Sequence, residues 1–432
     1  MGTSIYFMAK FWNEDFMRRK PAAVTMLTMS ILLSVTLFWF QCDGQIATLD
    51  GKPTIILISI DGFRWDYPEK TSTPNLDFLI KTGVRAERMI PAFPTKTFPN
   101  HHTIVTGLYP DEHGIIANNM YDPEWDEWFS LSNDSAVHNS RWWGGEPIWA
   151  TAEKQGVICA CFFWPGSSTK IAGEQPTHYF KYDGSVSNET RVQQVLTWLD
   201  FPVADRPSMI ITYFSTIDDV GHDYGPDSPE MLQAIAYIDS LLGQLIAGLE
   251  KRKFLDKVNL IIVSDHGMAA VAPERVIFLD DFVAMDDVRV IDWSPIVALN
   301  PKPGEEDAVY SKLRDAHPRL QVYRKNEVPE RFHYGKNAKI PEIVGIADEG
   351  WTIGTHRSFE SSPHYFRGGT HGYDNQLISM GATFIARGPA FKSGVAVEPF
   401  ENIHVYNLMA EILKIKPALN SGRIDSVRAV LR

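Results

Sequence analysis

The sequence predicts an α/β chain: a three-layer α/β/α sandwich around a mostly parallel central sheet, with a small α+β insertion. Three observations carry this. Short, uninterrupted β-branched runs occur at 54–60, 209–214 and 258–264, the pattern of strands buried on both faces. Helical patterns separate them, the best being Ser228-Pro229-Glu230 followed by apolar residues at 231, 232, 235, 238, 241, 242, 245, 246 and 249. Between 282 and 365 the alternation breaks.

Residues 1–20 carry Lys10, Arg18, Arg19 and Lys20, and the stretch 21–41 has no charge. About nineteen apolar or small residues just cross a bilayer core, and basic residues before the run put everything beyond Gln41 outside the cytoplasm. The stretch reads as a signal peptide or a signal anchor: Cys42 and Gly44 offer a cleavage pair, and the long basic region fits an uncleaved anchor as well. Residues 42–52 are expected to be a linker and 53–432 one domain.

In that domain the first and third runs stop at Asp61 and Asp265, and the second reaches Asp218 after a short extension. Open α/β sheets bind ligands beyond the carboxyl ends of their strands, so these three carboxylates can converge. A fourth strand is expected over 156–163. Ser228 as N-cap and Pro229 at the first helical position mark the start of the long helix. In the insertion, 288–291 and 320–323 read as strands and 305–315 as a helix, forming a cap rather than an independent domain.

Composition narrows the chemistry. The balance of 41 Lys+Arg against 53 Asp+Glu gives a net charge of −12, which removes the basic footprint of a nucleic-acid binder. A polyanionic substrate would need a local cation. Three cysteines, Cys42, Cys159 and Cys161, make no disulfide framework, and Cys159 and Cys161 share one strand face.

The candidate ligands are spaced for a metal. Asp218 and His222 lie four apart, so one helical turn or a tight loop can aim both at one ion. Asp265 and His266 are adjacent at a strand end, with Gly267 letting the backbone turn away. His371 sits in the glycine-flanked loop 369–373. Oxygen and imidazole donors without thiolate suit zinc or manganese in an open site. The candidate nucleophile is Thr97 in PTKTFPNHH, placed where a helix N-terminus would offer N–H groups to an anion. Trp142, Trp143 and Trp149 are expected to pack the scaffold.

With these residues in view, the sequence closely resembles the nucleotide pyrophosphatase/phosphodiesterase family of the alkaline phosphatase superfamily, particularly its compact bacterial members. The segments that carry the resemblance are ISIDGFRWDY, TPNL, GVRAERMIPAFPTKTFPNHHTIVTGLYPDEHGI, RWWGGEPIW, DDVGHDYGP, VSDHGMAAV and GTHGYDN, spread over nearly all of 53–432. The cysteine-rich modules and nuclease-like domain of animal members are not expected.

The resemblance implies an alkaline-phosphatase-like fold and a catalytic domain at 53–432 with two zinc ions. Asp218, His222 and His371 would hold one ion; Asp61, Asp265 and His266 would hold the other, joined by Thr97 as nucleophile. Asn118 would donate to a phosphate oxygen, and Phe98, Tyr182 and Tyr213 would flank the nucleoside. The implied reaction is hydrolysis of nucleotide phosphodiesters and phosphoanhydrides to nucleoside 5′-monophosphates through a phosphothreonine. No arginine occurs between Thr97 and Asn118, which suits a diester monoanion over a monoester dianion. The alternatives are a phospholipid- or choline-type phosphodiesterase using the same metal site and, from another class, a non-catalytic membrane-tethered binding protein. Small nucleotide substrates and, through 21–41, the membrane are the expected partners, with no stable nucleic-acid partner.

Overall fold

The computed structural model describes residues 48–432. The basic region 1–20, the apolar stretch 21–41 and Cys42 lie outside the described residues. The chain enters through a tight turn in which Lys52 N–H donates to the Leu49 carbonyl at 3.0 Å. Leu49 is buried and Asp50 pairs with Arg206, so this end of the expected linker is packed against the domain.

The centre is an eight-stranded sheet. Its strands are β1 (Ile55–Ile60), β2 (Val84–Ala86), β3 (Cys159–Phe162), β4 (His178–Phe180), β5 (Met209–Phe214), β6 (Asn259–Val263), β7 (Phe384–Arg387) and β8 (Val395–Val397), in the order β8-β2-β7-β6-β1-β5-β3-β4. Only β7 runs against its neighbours β6 and β2, which makes the sheet mostly parallel as expected. β3 starts later than expected because Gly156, at φ 78°, closes the turn after the preceding helix.

Period-two alternation divides each central strand between two layers. Leu57, Cys161, Ile211 and Ile261 join one buried cluster. Helices α2 (Thr97–Thr106), α3 (Ile148–Glu153) and α7 (Val405–Leu413) cover it. Ile58, Ala160, Ile210 and Ile262 join the other, under α1 (Pro74–Thr82), α4 (Asn188–Leu199) and α6 (Pro229–Lys251). Cys159 and Cys161 are free, buried and in the same cluster. Trp142, Trp143 and Trp149 are buried scaffold residues.

α6 begins as its sequence dictates: Ser228 Oγ accepts the Met231 N–H, with Pro229 at the first position. Its length and apolarity would suffice to cross a membrane, but its apolar stripe faces the sheet and packs on α1, α4 and helix α5 (Thr216–Tyr224).

The insertion is a four-stranded antiparallel sheet, ordered 288–292, 296–301, 343–347, 320–324, with the helix Glu306–Leu313. The strand Ile343–Ala347 was not anticipated. Ile296, Val344 and Ile346 belong to the same buried cluster as Ile211 and Ile261, so one side of the insertion is continuous with the main core.

Candidate metal centre

The registers of β1, β5 and β6 align their carboxyl ends: Ile60 lies opposite Phe214, and Ser59 opposite Val263. The residues that follow, Asp61, the α5 helix with Asp218 and His222, and Asp265-His266, therefore emerge at one edge. His371 arrives from the loop after the short strand Gly368–Thr370, which pairs with Ala269–Val271 just beyond His266. Gly267 lets the 379–381 backbone close on this edge, through space rather than torsion, since a Cβ there would lie 2.1 Å from the Ser379 carbonyl oxygen.

Asp218, His222 and His371 form one potential metal-holding group, as expected; Asp61, Asp218 and His266 form a second, and Asp61, His101 and Asp265 a third. His222 Nε2 is 3.4 Å from Asp218 Oδ2, and His371 Nε2 is 3.6 Å from Asp218 Oδ1. His266 Nε2 lies 3.0 Å from Asp265 Oδ2, 3.5 Å from Asp61 Oδ1 and 3.4 Å from Thr97 Oγ1. The groups share members and Thr97 adjoins His266, so the seven expected ligands form one contiguous cluster. Asp61, Asp265 and His266 are buried, whereas the His222 side chain keeps 41% of its exposure, leaving the centre open on that side.

The tautomers follow from the backbone. His371 Nδ1 is 2.8 Å from the Thr95 carbonyl, His222 Nδ1 3.0 Å from Gly369 O and His266 Nδ1 2.9 Å from Gly267 O. A carbonyl only accepts, so each Nδ1 donates and each neutral ring turns its Nε2 lone pair into the cluster. The Nε2 atoms of His371 and His266 face Asp218 Oδ1 and, for His266, Asp61 Oδ1 and Asp265 Oδ2, three buried oxygens without a hydrogen-bond partner. Lone pair against lone pair at such distances is repulsive unless a cation lies between them. The donor set therefore fits metal ions, with the outer nitrogens anchored as in metal-binding histidines.

Electrostatics agree. Burial, with Asp265 and Asp218 alongside, pushes the Asp61 carboxyl well above its usual range. Burial works against both charges of the Asp265–His266 pair too, but their pairing, with His101 beside it, overrides this. It holds the Asp265 carboxyl well below its usual range and the His266 imidazole above its own, so the place between them favours a positive charge, a proton when no metal ion is bound. Burial, with His266 and His222 close by, pushes His371 far down, so it stays neutral and able to ligate.

Thr97 is the first residue of α2, with extended Lys96 as the N-cap. Asn118 Oδ1 accepts the Phe98 N–H at 2.9 Å, whereas the neighbouring Asn119 is exposed in the strand Asn119–Asp122. Phe98 packs 6.0 Å from both Phe129 and Trp143. Tyr182 is 60% exposed, edge-on to Phe163 and 6.3 Å from Tyr213. Tyr213 is buried, and its hydroxyl donates to Asp61 Oδ2 at 2.6 Å, a carboxylate contact the sequence reading did not give it.

His101 was missed. Its Nδ1 lies 2.9 Å from Thr97 O and 3.3 Å from Asp265 Oδ2, and its Nε2 2.9 Å from Ser59 Oγ. Its position four residues after Thr97 in a helix was the available signal.

The family described as type I phosphodiesterase/nucleotide pyrophosphatase matches residues 55–374. Human ectonucleotide pyrophosphatase/phosphodiesterase family member 5 is 40% identical over 96% of this chain and 84% of its own. The venom phosphodiesterase of Naja atra is 41% identical over 91% of this chain, but over 48% of its own length. These relatives are animal proteins, not the bacterial members to which the sequence was likened. Among solved structures, murine ectonucleotide pyrophosphatase/phosphodiesterase 5 superposes with a TM-score of 0.84 at 39% identity, covering 88% of this chain and 100% of that one, as an inactive threonine-to-alanine variant in complex with AMP. On these likenesses and on its alkaline-phosphatase-like sheet, the chain belongs to the type I phosphodiesterase/nucleotide pyrophosphatase family of hydrolases.

Proposed function

We propose that this protein is an extracytoplasmic, two-zinc nucleotide pyrophosphatase/phosphodiesterase that converts small nucleotide diesters and phosphoanhydrides to nucleoside 5′-monophosphates. The observation that carries the reading is the Thr97 hydroxyl at the first turn of α2, 3.4 Å from His266 Nε2 and beside the unpartnered carboxylate oxygens.

Asp218, His222 and His371 would hold one ion, and Asp61, Asp265 and His266 would hold the other together with Thr97. Bound there, zinc lowers the cost of deprotonating the nucleophile and offsets phosphoryl charge. The Thr97 oxygen forms its bond to phosphorus as the bond to the leaving oxygen breaks; the threonine proton passes to water, and the leaving group takes one up to depart as alcohol or phosphate. Water then cleaves the phosphothreonine, regenerating the hydroxyl and releasing the 5′-monophosphate. Because Asn118 Oδ1 is tied to the Phe98 N–H, its amide NH₂ is the group free to donate to a phosphoryl oxygen. A neutral donor suits a monoanionic diester. Phe98 and Tyr182 offer faces to a nucleobase, and Tyr213 steadies Asp61.

The AMP in the murine relative supports the nucleotide class, and the inactivity of that threonine-to-alanine variant supports a threonine nucleophile. The ectoenzyme and venom names of relatives support a location outside the cytoplasm, with residues 21–41 as the signal or anchor.

The test is hydrolysis by the full, zinc-loaded chain of a chromogenic nucleoside 5′-monophosphate ester, beside matched phosphocholine and simple phosphate esters. Preferred turnover of the nucleotide ester, lost in Thr97→Ala with zinc retained, is expected. Preference for phosphocholine would replace the substrate class. Silence on all three substrates with zinc bound would leave a binding protein.

A further inference from the structure

Lys96 precedes Thr97 and is the N-cap of α2, yet it offers no side-chain acceptor to that helix. Its side chain runs instead into the insertion, where Nζ lies 2.5 Å from Asp292 Oδ2 and 3.2 Å from the Trp293 carbonyl. The paired side chains retain 7% and 6% of their exposure. Burying both charges carries a large desolvation penalty, which makes such a pair a poor source of stability for its own sake. Its placement points to geometry. Asp292 ends the strand Val288–Asp292 at an irregularity, where the register with 296–301 shifts between Val290 and Asp292, the kind of defect that re-aims a side chain.

The same segment holds the His371 loop. The Thr95 carbonyl accepts from His371 Nδ1, and Thr95 Oγ1 accepts the Gly372 N–H at 2.9 Å while donating to Tyr373 O at 3.1 Å. Gly372, at φ +114°, leaves no room for a side chain: a Cβ would meet Pro295 Cδ at 2.9 Å and Lys96 Cε at 3.2 Å. Residues 95–97 are thus tied to His371 through Thr95 and to the insertion through Lys96.

The insertion is anchored well enough to serve as the fixed end. Phe93 packs 4.2 Å from Phe332 and 5.3 Å from Tyr334. The Asp111 carboxylate accepts the N–H groups of Gly335, Lys336 and Asn337 at 3.3, 2.9 and 2.6 Å.

We infer that Asp292 is a positioning residue: held on the insertion, it fixes the 95–97 segment through Lys96, so that the Thr97 hydroxyl and the His371 ring share one rigid frame. This rests on Thr97 being the nucleophile. Misplacement of a reacting group by about 1 Å costs about 10²-fold in rate. The effect should therefore fall chiefly on kcat, because Phe98, the substrate-facing aromatic next to this segment, is held independently by Asn118 and by packing on Phe129 and Trp143.

The test uses the full, zinc-loaded chain with Asp292→Asn, Asp292→Glu, Lys96→Met and the double variant Lys96→Met/Asp292→Asn. Zinc content, Tm, kcat and KM on a nucleoside 5′-monophosphate ester are read for each. Asp292→Asn is expected to lower kcat about 10- to 100-fold with KM within about twofold and both zinc ions retained. Asp292→Glu, which keeps the charge, is expected to recover part of the loss. The double variant should cost little beyond either single one, since the pair acts as a unit. An unchanged kcat in folded, zinc-loaded Asp292→Asn overturns the inference, as does a loss that merely tracks zinc content. If Asp292→Asn does not fold, Lys96→Met is judged by the same criteria. Thr97→Ala run in parallel keeps the two claims apart: wild-type turnover there would remove the nucleophile assignment whatever Asp292 does.

Discussion

The backbone N–H of Phe98 and the side chain of Asn118 are joined by a hydrogen bond of 2.9 Å, which fixes the orientation of the asparagine amide beside Thr97. Substituting Asn118 therefore tests the donor directly. Asn118→Ala should lower kcat about 10²- to 10³-fold, the loss typical of one donor to a developing oxyanion. Asn118→Asp should lose more, because a carboxylate would face the phosphoryl group. Steady-state kinetics on a nucleotide diester decide it, and equal activity in Asn118→Asp would remove the donor role.

Tyr213 supports the proposed ligand Asp61 from behind. Its hydroxyl satisfies Asp61 Oδ2 and leaves Oδ1 for the cluster. Tyr213→Phe should weaken zinc affinity about 10- to 100-fold, as loss of such outer partners does, with kcat largely restored at saturating zinc. Competition against a chelating dye measures this.

Ion removal should show in stability as well as in turnover. Ions that bind only the folded chain add about 2.7 kcal/mol at one hundred times their Kd. Chelation should thus lower Tm and abolish hydrolysis together, and zinc should restore both. Calorimetry with and without zinc checks the coupling, and a Tm indifferent to zinc would contradict the cluster as a metal centre.

Acid sensitivity should arise behind the site, at His102. Burial pushes this imidazole from 6.5 down to about 4, and its Nε2 lies 2.7 Å from the Gly144 carbonyl. Between those values the unfolded chain binds the extra proton, so stability is present above pH ~6.5 and drains as the pH falls through ~4. The contribution lost is about 3 kcal/mol. His102→Gln keeps a donor without the titration and should flatten the fall of denaturation midpoint over that range; parallel curves would count against it.

Asp239 on α6 should matter to stability alone. Its carboxylate receives the N–H groups of Asn75 at 3.1 Å and Leu76 at 2.8 Å, and the Asn75 amide at 2.8 Å, so a neighbouring helix caps α1. Asp239→Ala should cost about 2–3 kcal/mol, read by denaturant unfolding, with kcat unchanged.

The elements legible in the sequence were those written locally. The β-branched runs ending at Asp61 and Asp265, the Ser228-Pro229 helix start and the Asp218/His222 spacing each declare themselves within a few residues. His101 offered only its spacing from Thr97, because its partners are Ser59 on β1 and Asp265 just past β6. The Tyr213 hydroxyl contact with Asp61 and the Lys96–Asp292 pair were hidden for the same reason: the pairing is settled by packing, not by spacing. The strand Ile343–Ala347 carries a β-branched pattern, but Gly345 interrupts it.

The contact between His371 and the Thr95 carbonyl spans 276 positions. During synthesis the threonine loop is made long before the histidine that completes its surroundings, and the whole cluster reaches back further still, to Asp61. If these residues are the catalytic set, turnover itself reports that the chain from Asp61 to His371 has folded as one piece.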